Sequence, residues 1–143
     1  MDVSKFLTKD QQALIIQTIS DAENNSSGEI RIHLESTCKE DVLDRATFIF
    51  KKLKMHKTAL RNGVLIYLSV QDRKFAILGD VGINIKVPEG FWDQIKDMMI
   101  SNFAKGEITT GLTEGIMMIG EKLKKFFPIT RDDNNELSNE ISF

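Results

Sequence analysis

Ser26-Ser27-Gly28-Glu29-Ile30-Arg31-Ile32, answered later by Arg61-Asn62-Gly63-Val64-Leu65-Ile66 and Gly79-Asp80-Val81-Gly82-Ile83, decides how this chain folds. Each run sets polar or glycine residues against one end of a short apolar segment. Ile30, Ile32 and Leu34 alternate with Arg31, His33 and Glu35, the period-two pattern of a half-buried strand. Residues 63–70 are almost continuously apolar, as expected of a strand covered on both faces. Gln71-Asp72 alone separates that run from Arg73-Lys74-Phe75-Ala76-Ile77-Leu78, a gap short enough for a tight antiparallel hairpin.

Working outward, the pattern turns helical. Thr8-Lys9-Asp10-Gln11 has the form of a capping box, and Ile15, Ile19 and Ala22 recur on one face, which predicts a helix over 9–24. Val42, Ala46, Ile49 and Leu53, widened by Leu43 and Phe50, predict a second over 41–54. Phe91, Ile95, Met98, Met99 and Phe103 predict a third over 89–104, with Gly106 as its C-terminal cap. A fourth runs over 108–126 until Pro128 stops it. Residues 129–143 are rich in Asp, Asn, Glu and Ser without periodicity, the composition of a disordered tail. The order α-β-α-β-β-α-α places the chain in the α/β class. The expectation is one domain over 1–128, a three-layer α/β/α sandwich around a mixed sheet of three to four strands.

A helical crossover leaves the first two strands parallel and the connection right-handed. The hairpin then reverses the third. The starts of strands one and two, at Glu29 and Gly63, therefore share an edge with the end of strand three, at Asp80. The first helix finishes at that edge and brings Glu23 to it, and the loop 55–62 closes over it, so one composite pocket is expected there.

Composition narrows the class. With 143 residues, 41% hydrophobic and 28% charged, the chain is an ordinary soluble sequence long enough to bury a core. A net charge of −2 offers no basic field for nucleic acid or an anionic membrane. Cys38 is the only cysteine, which excludes an internal disulfide and fits a reducing compartment. The N-terminus lacks the apolar run of a signal peptide, and the longest apolar stretch, 64–68, is far short of a membrane span. A cytoplasmic monomer is the expectation.

Hard cations need several oxygen ligands, and carboxylates from separate strand ends can converge on one ion. Asp80, near Gly79 and Gly82, is the first candidate ligand; otherwise it shapes a turn. Glu29 is the second, its other reading a salt bridge to Arg31 or Arg61. Glu23, with Asp21, stands in the last turn of a helix, where the macrodipole disfavours acids and a cation would offset the cost; the plainer reading is a solvated helix end. Arg61 and Asn62 open the second strand. Arg61 suits bidentate binding of phosphate or carboxylate, and Arg45, on the stripe of the second helix, would support the acidic cluster. The structural reading pairs both arginines with Glu29 or Asp44. His33 and His56 lack metal-ligand spacing and read as surface or satisfied core residues. Trp92 with Phe91 reads as packing of a helix on the sheet.

Several catalytic signatures are missing. Six residues separate Cys38 from Arg45, where the tyrosine phosphatase loop has five, and Cys38 reads as an ordinary thiol. Gly106 and Gly111 have P-loop spacing, but Leu112-Thr113 follows instead of Lys and a hydroxyl residue. There is no Asp-x-Asp pair. Hydrolysis would have to be metal-assisted, with Arg61 at the phosphoryl group.

Ala22-Glu23-x-x-Ser26-Ser27-Gly28-Glu29-Ile30-Arg31, Arg45-Ala46, Thr58, Arg61-Asn62-Gly63-Val64-Leu65 and Gly79-Asp80-x-Gly82-Ile83, in this order, resemble the TPM domain family over about 5–128. That family is known from a thylakoid-lumen phosphatase-like protein, a photosystem II repair factor and a nematode receptor modulator. The resemblance implies an α/β/α sandwich, a carboxylate-lined site for a divalent cation, usually discussed as calcium, and the acid-phosphatase activity claimed for some members. The chain is similar to the short cytosolic bacterial subgroup, without signal peptide, membrane anchor or Gly-rich tail. Exported members carry Gly-Tyr-Gly-Leu-Glu where this chain has Gly79-Asp80-Val81-Gly82-Ile83, so its ligand set is rearranged. The implied function is binding of calcium or magnesium through Asp80, Glu29 and Glu23, supported by Arg61, Asn62 and Arg45, with weak metal-assisted phosphatase activity. The alternative is a non-enzymatic module that engages a protein partner through the acidic pocket or the methionines at 98, 99, 117 and 118, residues suited to adaptable surfaces.

Overall fold

Strand β1, Glu29–Glu35, pairs in parallel with β2, Gly63–Ser69, with Glu29 opposite Gly63. Strand β3, Lys74–Gly79, runs antiparallel to β2 with Gly79 opposite Val64. The computed structural model describes residues 1–24, 26–129 and 136–143, and among them the sheet order is β1-β2-β3. The central strand β2 is buried along its whole length, which is why its sequence is continuously apolar rather than alternating.

Side chains leave the two faces of the sheet for different layers. Ile30, Ile32, Leu34, Val64, Ile66 and Ile77 pack under three helices: α1 (Lys9–Glu23), α4 (Asp93–Ala104) and α5 (Ile108–Phe126). Leu65, Tyr67 and Ala76 face the other way, toward Ala46, Ile49 and Phe50 of α2 (Val42–Lys52). The result is the expected α/β/α sandwich. Local signals set the helix ends. Thr8 Oγ1 accepts from the Gln11 N–H at 3.1 Å and Gln11 Oε1 accepts from the Thr8 N–H at 2.9 Å, closing the capping box. The Asp41 carboxylate accepts from the Leu43 and Asp44 N–H groups at the start of α2.

Two elements differ from the sequence reading. Helix α4 begins at Asp93 rather than 89, because Gly90 adopts φ +76° and breaks the chain direction after Pro88. A short helix α3, Val81–Asn84, follows β3 directly, capped by Asp80, whose Oδ1 accepts from the Val81 N–H at 2.7 Å.

The tail differs more. Disorder was expected over 129–143; residues 130–135 lie outside the described residues, but 136–143 run beside β1. The Leu34 N–H donates to Ser142 O and the Ser142 N–H to Ile32 O, both at 2.9 Å, forming a parallel bridge between His33 and Ser142. Ile141 is buried in the same core cluster as Ile32 and Leu34, and Leu137 packs against the α2 layer. Single apolar anchors and backbone pairing hold this segment, and neither produces a periodic signal.

Gly82 fixes how α3 meets the strand edge. Its N–H donates to Arg61 O at 2.9 Å, and a Cβ there would sit 2.6 Å from Arg61 O and collide with Leu60 O as well. Backbone atoms have little room to yield, so Gly82→Ala should lower the unfolding free energy by about 2–3 kcal/mol. Denaturant titration checks this, and an unchanged midpoint would mean the close approach is not needed.

Candidate functional site

Glu23, the last residue of α1, reaches the start of β1 so that its Oε2 accepts from the Ile30 N–H at 2.9 Å. Glu29, buried at the start of β1, donates its N–H to Asn62 O at 3.3 Å. Its Oε1 accepts from the Leu137 N–H at 2.7 Å and from the Glu136 N–H. Two carboxylates thus meet at one edge of the sheet. Burial first and the neighbouring Glu29 charge next raise Glu23 to about 7, against the hydrogen bonds from the Ile30 N–H and the Asn139 side chain. Glu29 is also raised, by burial first, while the Leu137 and Glu136 N–H groups pull the other way and the Glu136 charge adds to the rise. The last turn of α1 contains no basic residue to relieve them.

Asp80 ends β3 at the same edge, and its hydrogen bonds go to different partners. Arg61 Nε donates to Asp80 Oδ2 at 2.8 Å and Arg61 Nη2 to Oδ1 at 2.9 Å, a bidentate pair. With the Val81 N–H also on Oδ1, Asp80 acts as helix cap and arginine partner at once. Arg61 has φ +51° and a side chain 44% exposed, against 4% for Asp80. Asn62 is buried and ties two loops together: its Nδ2 donates to Ser27 O at 3.0 Å and its N–H to Thr58 Oγ1 at 3.3 Å. Among the described residues no three His, Cys, Asp or Glu side chains converge closely enough to hold a metal ion. The structure brings Glu23 and Glu29 together, while Asp80 is engaged by Arg61.

Arg45 lies elsewhere. It grips Glu35, with Nε 3.0 Å from Oε2 and Nη2 2.5 Å from Oε1, at the opposite end of β1 from Glu29. The chain leaves β1 at Glu35 and re-enters a helix at Val42, so the first turn of α2 stands over the C-terminal end of β1. Arg45 therefore cannot support the acidic edge.

That far end holds a network the sequence reading missed. Tyr67 Oη donates to Glu35 Oε2 at 2.5 Å, and His33 Nε2 lies 3.1 Å from Glu35 Oε1. Burial opposes ionisation of Glu35, yet the bonds from Arg45, Tyr67 and His33 outweigh it and hold the carboxyl at about 2. His33 is lowered, chiefly by burial and also by the Arg45 and Lys52 charges, against the pull of Glu35. The signal was present: positions 29, 31, 33 and 35 of a period-two strand are all polar, and Tyr67 lies opposite His33 in the ladder. Spacing alone did not say that Arg45 would complete it. A cavity of about 420 Å³, which the sequence reading did not anticipate, opens beside the start of α4, lined by Asn84, Pro88, Phe91, Trp92, Asp93 and Lys96 among others.

A mixed sheet between one helix and a layer of three defines an α/β/α sandwich with a polar strand edge. Residues 1–122 match the TPM domain. The chain belongs to the TPM domain family. It is similar to the NMR structure of the BA42 protein from the psychrophilic bacterium Bizionia argentinensis, with 47% identity, TM-score 0.93 and coverage of 99% of this chain and 97% of that one. An N-terminal domain from P. gingivalis shares 21% identity at TM-score 0.70, covering 87% of this chain and 80% of that one. The N-terminal domain of cg2496 from Corynebacterium glutamicum shares 9% at TM-score 0.65, covering 96% and 80%. These two likenesses concern the fold. No curated protein matches.

The two ends of β1 give stability opposite pH dependences. Glu23 in the folded state keeps a proton that the unfolded chain releases near 4.5, so its contribution is present below 4.5 and is lost as pH rises through about 7. Glu35, depressed to about 2, contributes above 4.5 and loses that contribution as pH falls toward 2. Stability should peak at about pH 5 and fall by roughly 2 kcal/mol toward pH 8. Glu23→Gln should flatten the alkaline side and leave the acid side intact, as followed by urea unfolding across pH. A pH 5–8 profile for Glu23→Gln parallel to that of the wild type would contradict the raised Glu23.

Proposed function

We propose that this protein is a cytoplasmic TPM-domain protein that binds a divalent cation, calcium or magnesium, at the strand-start edge through Glu23 and Glu29. The observation that carries this reading is the pair itself: the half-buried Glu23 and the buried Glu29, both raised by loss of solvent, with the Glu29 charge acting further on Glu23. A site that holds protons against its own repulsion gains when a cation replaces them. Hard cations accept carboxylates together with backbone oxygens and water, so two acidic side chains suffice to start a site. Asp80 is the third carboxylate of this edge and joins it only by giving up a bond to Arg61.

A bound cation would supply an activated water for hydrolysis of a phosphate ester. The chain's own contribution to that chemistry is Arg61, whose partly exposed guanidinium is oriented by Asp80 and is suited to phosphoryl oxygens. No general base stands beside it among the groups described above, so the proposed phosphatase activity is weak. The absence of any helix long and apolar enough to cross a membrane, among the described residues, is compatible with the cytoplasmic assignment.

The test is a calcium and magnesium titration followed by amide shifts and melting temperature, with a generic phosphate ester assayed in the same sample. Millimolar cation should shift Glu23, Ile30 and Glu29 and raise the melting temperature by mass action on the folded state. Glu29→Gln should weaken binding by at least about tenfold, equivalent to roughly 1.4 kcal/mol. Asp80→Asn separates the ligand sets: an equal loss places Asp80 in the site, and a small one confines it to Arg61. Unmoved signals and melting temperature in the wild type would reject the cation site.

A further inference from the structure

The polar row of β1 lies along the sheet's outer edge, and residues 136–143 follow it in parallel order. Glu136 and Leu137 donate to Glu29, Glu140 stands in the field of Arg31, and Ser142 Oγ is 2.8 Å from His33 Nδ1. Among the described residues, backbone pairing of this segment with the strand is confined to the two bonds made by Ser142. The fit is incomplete. Among the described residues, the buried Arg31 Nε has no hydrogen-bond partner, and no ion pair joins Arg31 to Glu140. A buried donor without an acceptor is costly, so a segment that placed an acceptor there would seat better than the chain's own.

We propose that the outer edge of β1 is a strand-addition groove for an extended acidic peptide of a partner protein, and that residues 136–143 are the chain's own occupant, held in place until such a peptide displaces them. Strand addition takes its affinity from main-chain bonds and its specificity from alternate side chains. Here the main-chain bonds are those of Ile32 O and Leu34 N. Specificity comes from three features in register: a carboxylate for Arg31, an apolar residue in the place of Ile141, and a hydroxyl for His33. Phe143 is 45% exposed, so its ring is only partly covered.

The experiment uses the full chain carrying Ile141→Asp, which removes the apolar anchor and leaves Glu29, Arg31 and His33 untouched. The probe is a fluorescent synthetic peptide with the sequence of residues 136–143. The variant should bind it saturably and at least tenfold more tightly than the wild type, whose groove is filled, and binding should restore exchange protection to the Leu34 amide. A probe with Gln in place of its Glu140 equivalent should bind more weakly, and Arg31→Gln in the protein should erase that difference. Absent binding, equal binding to both proteins, or a Glu-to-Gln difference that survives without Arg31 would overturn the proposal. Dimerisation of the variant with no uptake of peptide would give the groove to a second copy and overturn the partner assignment. If Ile141→Asp does not fold, hydrogen exchange on the wild type decides. The Leu34 and Ser142 amides should exchange at least tenfold faster than the Ile66 amide, and equal rates would mean the segment leaves only when the whole domain unfolds.

Discussion

The parallel register that sets Glu29 opposite Gly63 is the constraint on which the rest of this molecule depends. Ile30, Ile32 and Leu34 must face the helices, so Glu29, Arg31, His33 and Glu35 must face away. A slip of one residue would exchange the two sets and bury four polar side chains under α1 and α5. The hairpin from β2 to β3 then returns the chain to the starting edge, where Asp80 N donates to Gly63 O at 3.0 Å. Every polar group at that edge owes its position to this register.

One strand carries two carboxylates in opposite electrostatic states. At the C-terminal end, Glu35 receives donors from a helix, a neighbouring strand and its own strand, and its charge is fully compensated. At the N-terminal end, among the described residues, Glu29 receives only backbone N–H groups from the C-terminal segment and sits near two further acids. The first arrangement stabilises structure and leaves nothing for a ligand. The second retains repulsion that a ligand can relieve, which is where perturbed carboxylates become informative about function.

The sequence made most of the fold legible because burial leaves a period. The alternation in β1, the solid apolar run of β2 and the stripes of α1, α2 and α5 all follow from which faces meet the core. Ends set by local bonding, such as the Thr8 box and the Asp41 cap, were equally readable. Periodicity is silent about which polar group a long side chain will find. Arg45 was expected near the acidic edge, yet the connection from Glu35 to Val42 delivers it to the other end of β1. Asp80 was expected at the strand-start edge and stands there, but its pairing with Arg61, which adopts a left-handed conformation, is something no pattern announces. The segment 136–143 docks through one bridge and the anchors Ile141 and Leu137, too few to stand out from a polar composition.

The central claim is that Glu23 and Glu29 share one buried edge and resist ionising together. Carboxyl carbon shifts of both residues, followed by NMR from pH 3 to 9 with and without millimolar calcium, test it most directly. The account predicts a Glu23 midpoint near 7, a Glu29 midpoint above the ordinary carboxylate range, and a fall of both when calcium is added. Two independent transitions near 4.5, unchanged by calcium, would contradict it.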